Sequence, residues 1–114
     1  MTTWRRGDIV LVPITLPDGS GVKLRPALIV SSDHDNAVSL DVLSGSITSN
    51  LAGRHHPGKH LVGDWRGAGL LLPSLMQTNI ATVEGTSIRR RLGTLAAADL
   101  ATFAQARRQA LDPS

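Results

Sequence analysis

The sequence contains no cysteine and no tyrosine, and its aromatic side chains are two tryptophans and one phenylalanine in 114 residues. Without thiols there is no disulfide, no thiolate metal site and no cysteine nucleophile, and a reducing compartment is the natural setting. The missing phenols and thiols also reconcile a pI near 10.6 with a formal charge of only +3. Little besides lysine titrates between neutrality and that pI, so the chain is mildly basic. Such a balance suits an anionic partner, nucleic acid or an acidic peptide, without requiring one.

Long apolar runs are missing too. No stretch approaches the roughly 18 residues that a membrane span needs, and MTTWRRGD has Asp8 and strand-like alternation where a signal peptide has an apolar core. A cytoplasmic protein is expected. With 41% hydrophobic and 18% charged residues, the composition is that of one globular domain over 1–114. No P-loop, dinucleotide fingerprint or G-x-S-x-G elbow occurs, and the short GSG at 19–21 reads as a loop tip. His55, His56 and His60 in HHPGKH, and Asp33 and Asp35 in DHDN, are ligand types without a zinc spacing. No metal and no cofactor is expected, and the two aspartates read as turn residues.

What is present is a succession of short strands. DIVLVPI at 8–14 and PALIVSS at 26–32 are apolar runs separated by the Pro and Gly signals of TLPDGSGVKL. After DHDN, the alternation of Val38, Leu40 and Val42 predicts a half-buried strand running through AVSLDVLSGSITSN. HLV, one or two pieces of LLLPSLMQTNIATVEG, and SIRRRLG supply the remaining short elements. Helical spacing occurs only at the C-terminus, where Ala96, Leu100, Phe103, Ala104 and Leu111 share a stripe with Arg107. The prediction is a mainly β protein, a small barrel with a C-terminal helix laid on it.

Chemistry has few places to reside. Arg25 precedes Pro26, which biases the arginine backbone towards extended geometry, and Ser46 and Thr48 share a face by the two-residue period. A forked guanidinium beside a hydroxyl makes an anion clamp; the alternative is that Arg25 pairs with Asp8 or Asp41 at the barrel rim. His55 and His56, beside Arg54 and Lys59, read either as a solvated loop or as phosphate contacts and a proton shuttle. Trp4, Trp65 and Phe103 serve either core and interface packing or base stacking.

Several segments, in order, resemble the MazF/PemK toxins of bacterial type II toxin–antitoxin modules. RGDIVLVP at 6–13 is similar to the opening strand, DGSGVKLRPALIVSS at 18–32 to the first loop and Arg-Pro-Ala strand, and ITSN at 47–50 to the second polar site. DWRGAGLLLPS at 64–74 and IRRRLGTL at 88–95 are similar to later motifs of the PemK-like branch. The resemblance implies an SH3-like barrel of the CcdB/MazF type, a homodimer, and a metal-independent, sequence-specific endoribonuclease (an mRNA interferase) acting on single-stranded RNA. It implies Arg25 and Thr48 as catalytic residues; Lys23, Pro26, Ser46, Ser49, Arg54, His55, His56 and Lys59, which lie near them in the sequence, are the substrate-binding candidates. DGSGVK would gate RNA entry, and a cognate acidic antitoxin would cover the site. RNA brings its own nucleophile, the 2′-hydroxyl, so such a site needs neither metal nor triad. Two rival readings stay open: a CcdB-like non-enzymatic poison of DNA gyrase, and a degenerate barrel that only binds RNA or antitoxin, since the first loop lacks the family's usual glutamate.

Overall fold

Strand β1 (Asp8–Thr15) buries Ile9 and Val10 alike, although consecutive residues of a strand point to opposite faces. The sheet is therefore covered on both sides, which is why PALIV reads as an unbroken apolar run. A computed structural model describes residues 3–56 and 58–111 of the chain. After β1 come β2 (Val22–Ile29), α1 (Asp33–Val38), β3 (Asp41–Thr48), β4 (Lys59–Leu61), β5 (Leu75–Glu84), β6 (Arg90–Thr94) and α2 (Ala97–Leu111). All pairings are antiparallel, in the order β4-β5-β3-β2-β1-β6, an open half-barrel with β4 and β6 at its edges.

One face carries Ile9, Leu28, Ile47 and Met76 and is closed by Phe103 of α2, 2% exposed. Helix and sheet meet closely there: a Cβ added at Gly45 would stand 3.3 Å from the Phe103 ring. The other face carries Val10, Val12, Ala27, Ile29 and Val42, covered by Ile88 and the half-buried Trp4. Asp8, buried at the start of β1, accepts from the Arg5 amide at 2.8 Å and from Arg91 Nη2 at 2.9 Å, tying the N-terminal segment to β6.

The predicted barrel with a terminal helix is present, with three corrections. DHDN is a helix, not a turn: Ser32 caps it, its Oγ accepting from the Asp35 amide at 3.1 Å, and Asp33 and Asp35 sit in the first turn where the helix dipole favours them. The helix takes in Val38, and β3 starts only at Asp41, so Val38 and Leu40 are not strand core but 72% and 82% exposed. Apolar alternation misled there because helix and strand spacing are hard to separate over so few residues. Finally, β2 begins at Val22, ahead of the apolar run that starts at Pro26, because pairing with β1 holds polar residues in a strand as readily as apolar ones. No described helix is long and apolar enough to cross a membrane.

Candidate active site

Along β2 the partners change. From Val22 to Leu28 it pairs with β1, but it pairs with β3 only over Ala27–Ile29. The residue just outside that ladder is Pro26, which has no amide hydrogen with which to extend it. β3 meanwhile stays with β5 as far as Thr48. The two strands part, and a cleft of about 350 Å³ opens at the fork. Lys23, Leu24, Arg25 and Pro26 border it from β2; Ile47, Thr48 and Ser49 from the end of β3; Leu70, Leu71, Leu72 and Ser74 from the loop between β4 and β5; and Leu11, Arg90 and Leu92 from β1 and β6.

Register fixes how Arg25 and Thr48 stand. Ala27 is opposite Ser46, and two further steps towards the fork bring Arg25 opposite Thr48 on the same face. Thr48 is half-buried and its Oγ1 accepts from the Asn50 amide at 3.1 Å. With that lone pair occupied, the hydroxyl proton is free to be donated outward. Arg25 is exposed, and among the described residues no carboxylate lies within ion-pair distance of it. The rim pairing considered from sequence is not formed: Asp8 is held by Arg91, and Asp41 lies at the other end of β3, opposite Glu84.

The cleft is positive and otherwise greasy. Among the described residues, Lys23, Arg25 and Arg90 are its only charged lining residues, and all three attract an incoming anion. Its outer wall exposes Leu24, Leu71 and Leu72, the last two by 92% and 58%. That wall is held from behind. Asp99 of α2 accepts from the Gly63 and Asp64 amides at 2.8 and 3.0 Å, and Gly69, at φ +84°, lies so near Leu92 that an added Cβ would be 2.1 Å from its carbonyl oxygen. Only glycine combines that backbone with that approach.

Of the sequence-stated candidates, the cleft gathers Arg25, Thr48, Lys23, Pro26 and Ser49. It does not gather Ser46, Arg54, His55, His56 or Lys59. Ser46 sits inside the ladder opposite Ala27. Arg54 donates to the Leu51 carbonyl at 3.3 Å, and His56 Nδ1 accepts from the Gly58 amide at 3.0 Å, so both cap the 3-10 turn and bend they belong to. Lys59, on edge strand β4, is half-buried, its stem over Gly53. The first loop is a closed turn: Leu16 and Gly21 bond at 2.9 Å, and the Ser20 hydroxyl and amide hold Asp18 below the usual carboxylate range. Trp4 and Trp65 pack against the two cores and do not border the cleft. Sequence reasoning missed Arg90 and the leucine wall. The signal for Arg90 was available in SIRRRLG, because adjacent arginines on a strand must face opposite ways.

A family model for PemK-like, MazF-like toxins of type II toxin–antitoxin systems matches residues 5–111. No curated protein matches. Among solved structures, MazF in a MazE–MazF crystal structure from Deinococcus radiodurans is similar over 100% of both chains, with 21% identity and a TM-score of 0.81. An endoribonuclease solved with its cognate antitoxin from a mycobacterial species is 23% identical, with 97% of this chain and 95% of that one covered and a TM-score of 0.75. Mycobacterium tuberculosis toxin MazF-mt6 is 24% identical, covering 92% and 96%, again at 0.75. The structural likeness establishes the half-barrel fold, and the family match spans nearly the whole sequence: the chain belongs to the PemK-like, MazF-like toxins of type II toxin–antitoxin systems.

Proposed function

We propose that this toxin is a metal-independent endoribonuclease that cleaves single-stranded RNA at the fork between β2 and β3, with Arg25 and Thr48 as its catalytic residues. One observation carries the reading: Arg25 and Thr48 flank a single cleft whose charged lining residues are all cations. The endoribonuclease character of structural neighbours supports it.

In the reaction the ribose 2′-oxygen forms a bond to phosphorus, the bond to the 5′-oxygen breaks, and the products are a 2′,3′-cyclic phosphate and a 5′-hydroxyl. Negative charge grows on the non-bridging oxygens, and preorganised donors aimed at that charge supply most of the acceleration. Arg25 presents a forked cation to those oxygens and hydrogen-bonds the departing 5′-oxygen. Thr48 donates its free hydroxyl proton to a non-bridging oxygen while Asn50 keeps its oxygen in place. An arginine stays protonated and is a poor base. With no carboxylate or imidazole in the lining among the described residues, the 2′-hydroxyl proton passes to water, and water supplies the proton that the departing 5′-oxygen gains.

Incubation with single-stranded RNA in EDTA tests this. Cyclic-phosphate ends are expected, lost in Arg25→Ala; intact RNA with the wild-type protein would leave a non-enzymatic poison instead. The substrate places the toxin in the cytoplasm, where its expression arrests growth. A cognate antitoxin with an acidic segment suits the same cationic cleft and would compete with RNA there; neighbours solved with antitoxins support such a partner. The toxin is a homodimer in this reading, supported by a second hollow of about 440 Å³ beside α1, lined by Trp4, Val38, Leu40 and Ile88 among others and, among the described residues, by no charged side chain. Leu40→Asp should shift the mass in light scattering to that of a monomer.

A further inference from the structure

Of the three arginines of SIRRRLG, Arg91 is engaged in the fold, Arg89 and Arg90 have no side-chain partner among the described residues, and of those two Arg90 alone borders the cleft. Arg91 is spent inside the fold: its Nη2 donates to Asp8 at 2.9 Å and its guanidinium lies 5.7 Å from the Trp4 ring centre. Arg90, the next residue on β6, faces the other way. It stands opposite Leu11, and Arg90, Leu11 and Leu92 all border the cleft, as the two-residue period requires. Arg90 is exposed, and among the described residues no carboxylate is within ion-pair distance of it.

We propose that Arg90 binds the phosphodiester adjacent to the one engaged by Arg25, so that the cleft grips two successive phosphates of one strand. The inference rests on the nuclease reading above and adds a positioning residue to it. Both arginines border the same cleft: Arg90 pairs with Leu11 of β1, and Leu11 pairs with Pro26 of β2, so Arg90 leaves the sheet on the Pro26 face while Arg25, opposite Val12, leaves it on the other, and the fork is where the cleft is bordered by both. Only one strand separates the two arginines, about 10 Å of backbone at ordinary strand spacing, and each carries a long, forked side chain that can reach inward. A fold-stabilising purpose does not account for Arg90, since among the described residues neither an ion pair nor a ring engages it. A neutral or singly charged ligand would not account for it either, because a second unneutralised guanidinium in one cleft repels the first until an anion with two charged groups arrives. Arg25 does chemistry at the reacting phosphorus; Arg90 sets the register of the strand that brings it there.

The experiment measures binding of a 2′-deoxy oligonucleotide, which cannot be cleaved, across a salt series. Arg90→Ala is expected to weaken binding about tenfold and to reduce the slope of log affinity against log salt by about 0.7, the loss of one phosphate contact on a single strand. Arg90→Lys should keep the slope, and Arg108→Ala, on the exposed side of α2, should change neither quantity. On RNA, Arg90→Ala should raise KM about tenfold with kcat within about twofold, whereas Arg25→Ala removes kcat. An unchanged salt slope in Arg90→Ala, or a loss confined to antitoxin binding, overturns the proposal; circular dichroism of each variant shows that the fold is kept. A wild-type protein that leaves RNA intact ends the nuclease reading, while the slope still decides whether Arg90 holds a phosphate.

Discussion

The two halves of β2 share one backbone and one partner strand, yet Val22–Arg25 are exposed in sequence while Ala27–Ile29 are buried. What separates them is the second neighbour. The buried half is flanked by β1 and β3 and covered on both faces; the exposed half has β1 alone and faces the fork. Pro26 marks the change, and it is the residue that cannot continue the ladder. A sheet can therefore hold a charged side chain in a rigid extended backbone without burying it, which is what an anion site needs. Rigidity comes from one edge of the strand and access from the other.

If that division is real, substitutions on either side of Pro26 must separate activity from stability. The largest effect is expected at Arg25→Ala: cleavage of single-stranded RNA lost by at least about a thousandfold, with the urea midpoint almost unmoved, since an exposed residue without partners contributes within about 0.5 kcal/mol. Leu28→Ala should do the reverse, costing about 2–5 kcal/mol through the cavity it leaves, with surviving folded protein still active per molecule. Equal losses of both properties in either variant would erase the comparison. Next in size is Thr48→Val across the fork. Removing one donor and the acceptor for the Asn50 amide should lower kcat about 100-fold with little change in KM, whereas Thr48→Ser should recover most of it. Smaller again is Pro26→Ala. Restoring an amide hydrogen lets the β2–β3 ladder lengthen and narrows the cleft, and an increase of about threefold to tenfold in KM is expected, read together with slower hydrogen exchange at Ile47 and Thr48.

The same comparison explains what the sequence could disclose. The barrel, its terminal helix and the Arg-Pro strand are legible because they rest on local signals: apolar runs, a helical stripe ending in Phe103, and proline's effect on the residue before it. Of the binding candidates named around Arg25 and Thr48, the cleft gathers only some. Lys23, Pro26 and Ser49 flank Arg25 and Thr48 in sequence and arrive with them. Arg54, His55, His56 and Lys59 also follow Thr48 closely, but a 3-10 turn capped by Asn50 and a bend carry them out of the lining. Arg90 and the leucine wall come from the far end of the chain, brought in by β6 pairing with β1 and by Asp99 fastening the loop. Proximity along the chain predicted contact too often, and long-range pairing is invisible to it. The helix at DHDN was lost for a different reason: six residues hold too few turns for a period, and the Ser32 cap was the better signal.

The smallest effect is expected where sequence reading placed a proton shuttle. His55 and His56 are exposed and outside the cleft, and His56 is engaged with the Gly58 amide, so His55→Ala and His56→Ala together should change kcat by less than about threefold. The pH profile sharpens the point beyond that. Among the described residues the charged lining residues are all lysine or arginine, with no imidazole or carboxylate to serve as base, and the informative range is about pH 5 to 8. If water or hydroxide takes the 2′-hydroxyl proton, the logarithm of kcat should rise with pH at a slope near one throughout that range, in wild-type and double variant alike. An imidazole base would instead bend the profile where histidine ordinarily titrates, and the bend would vanish in the variant. That outcome would return the loop to the site and require it to fold over the fork when RNA is bound.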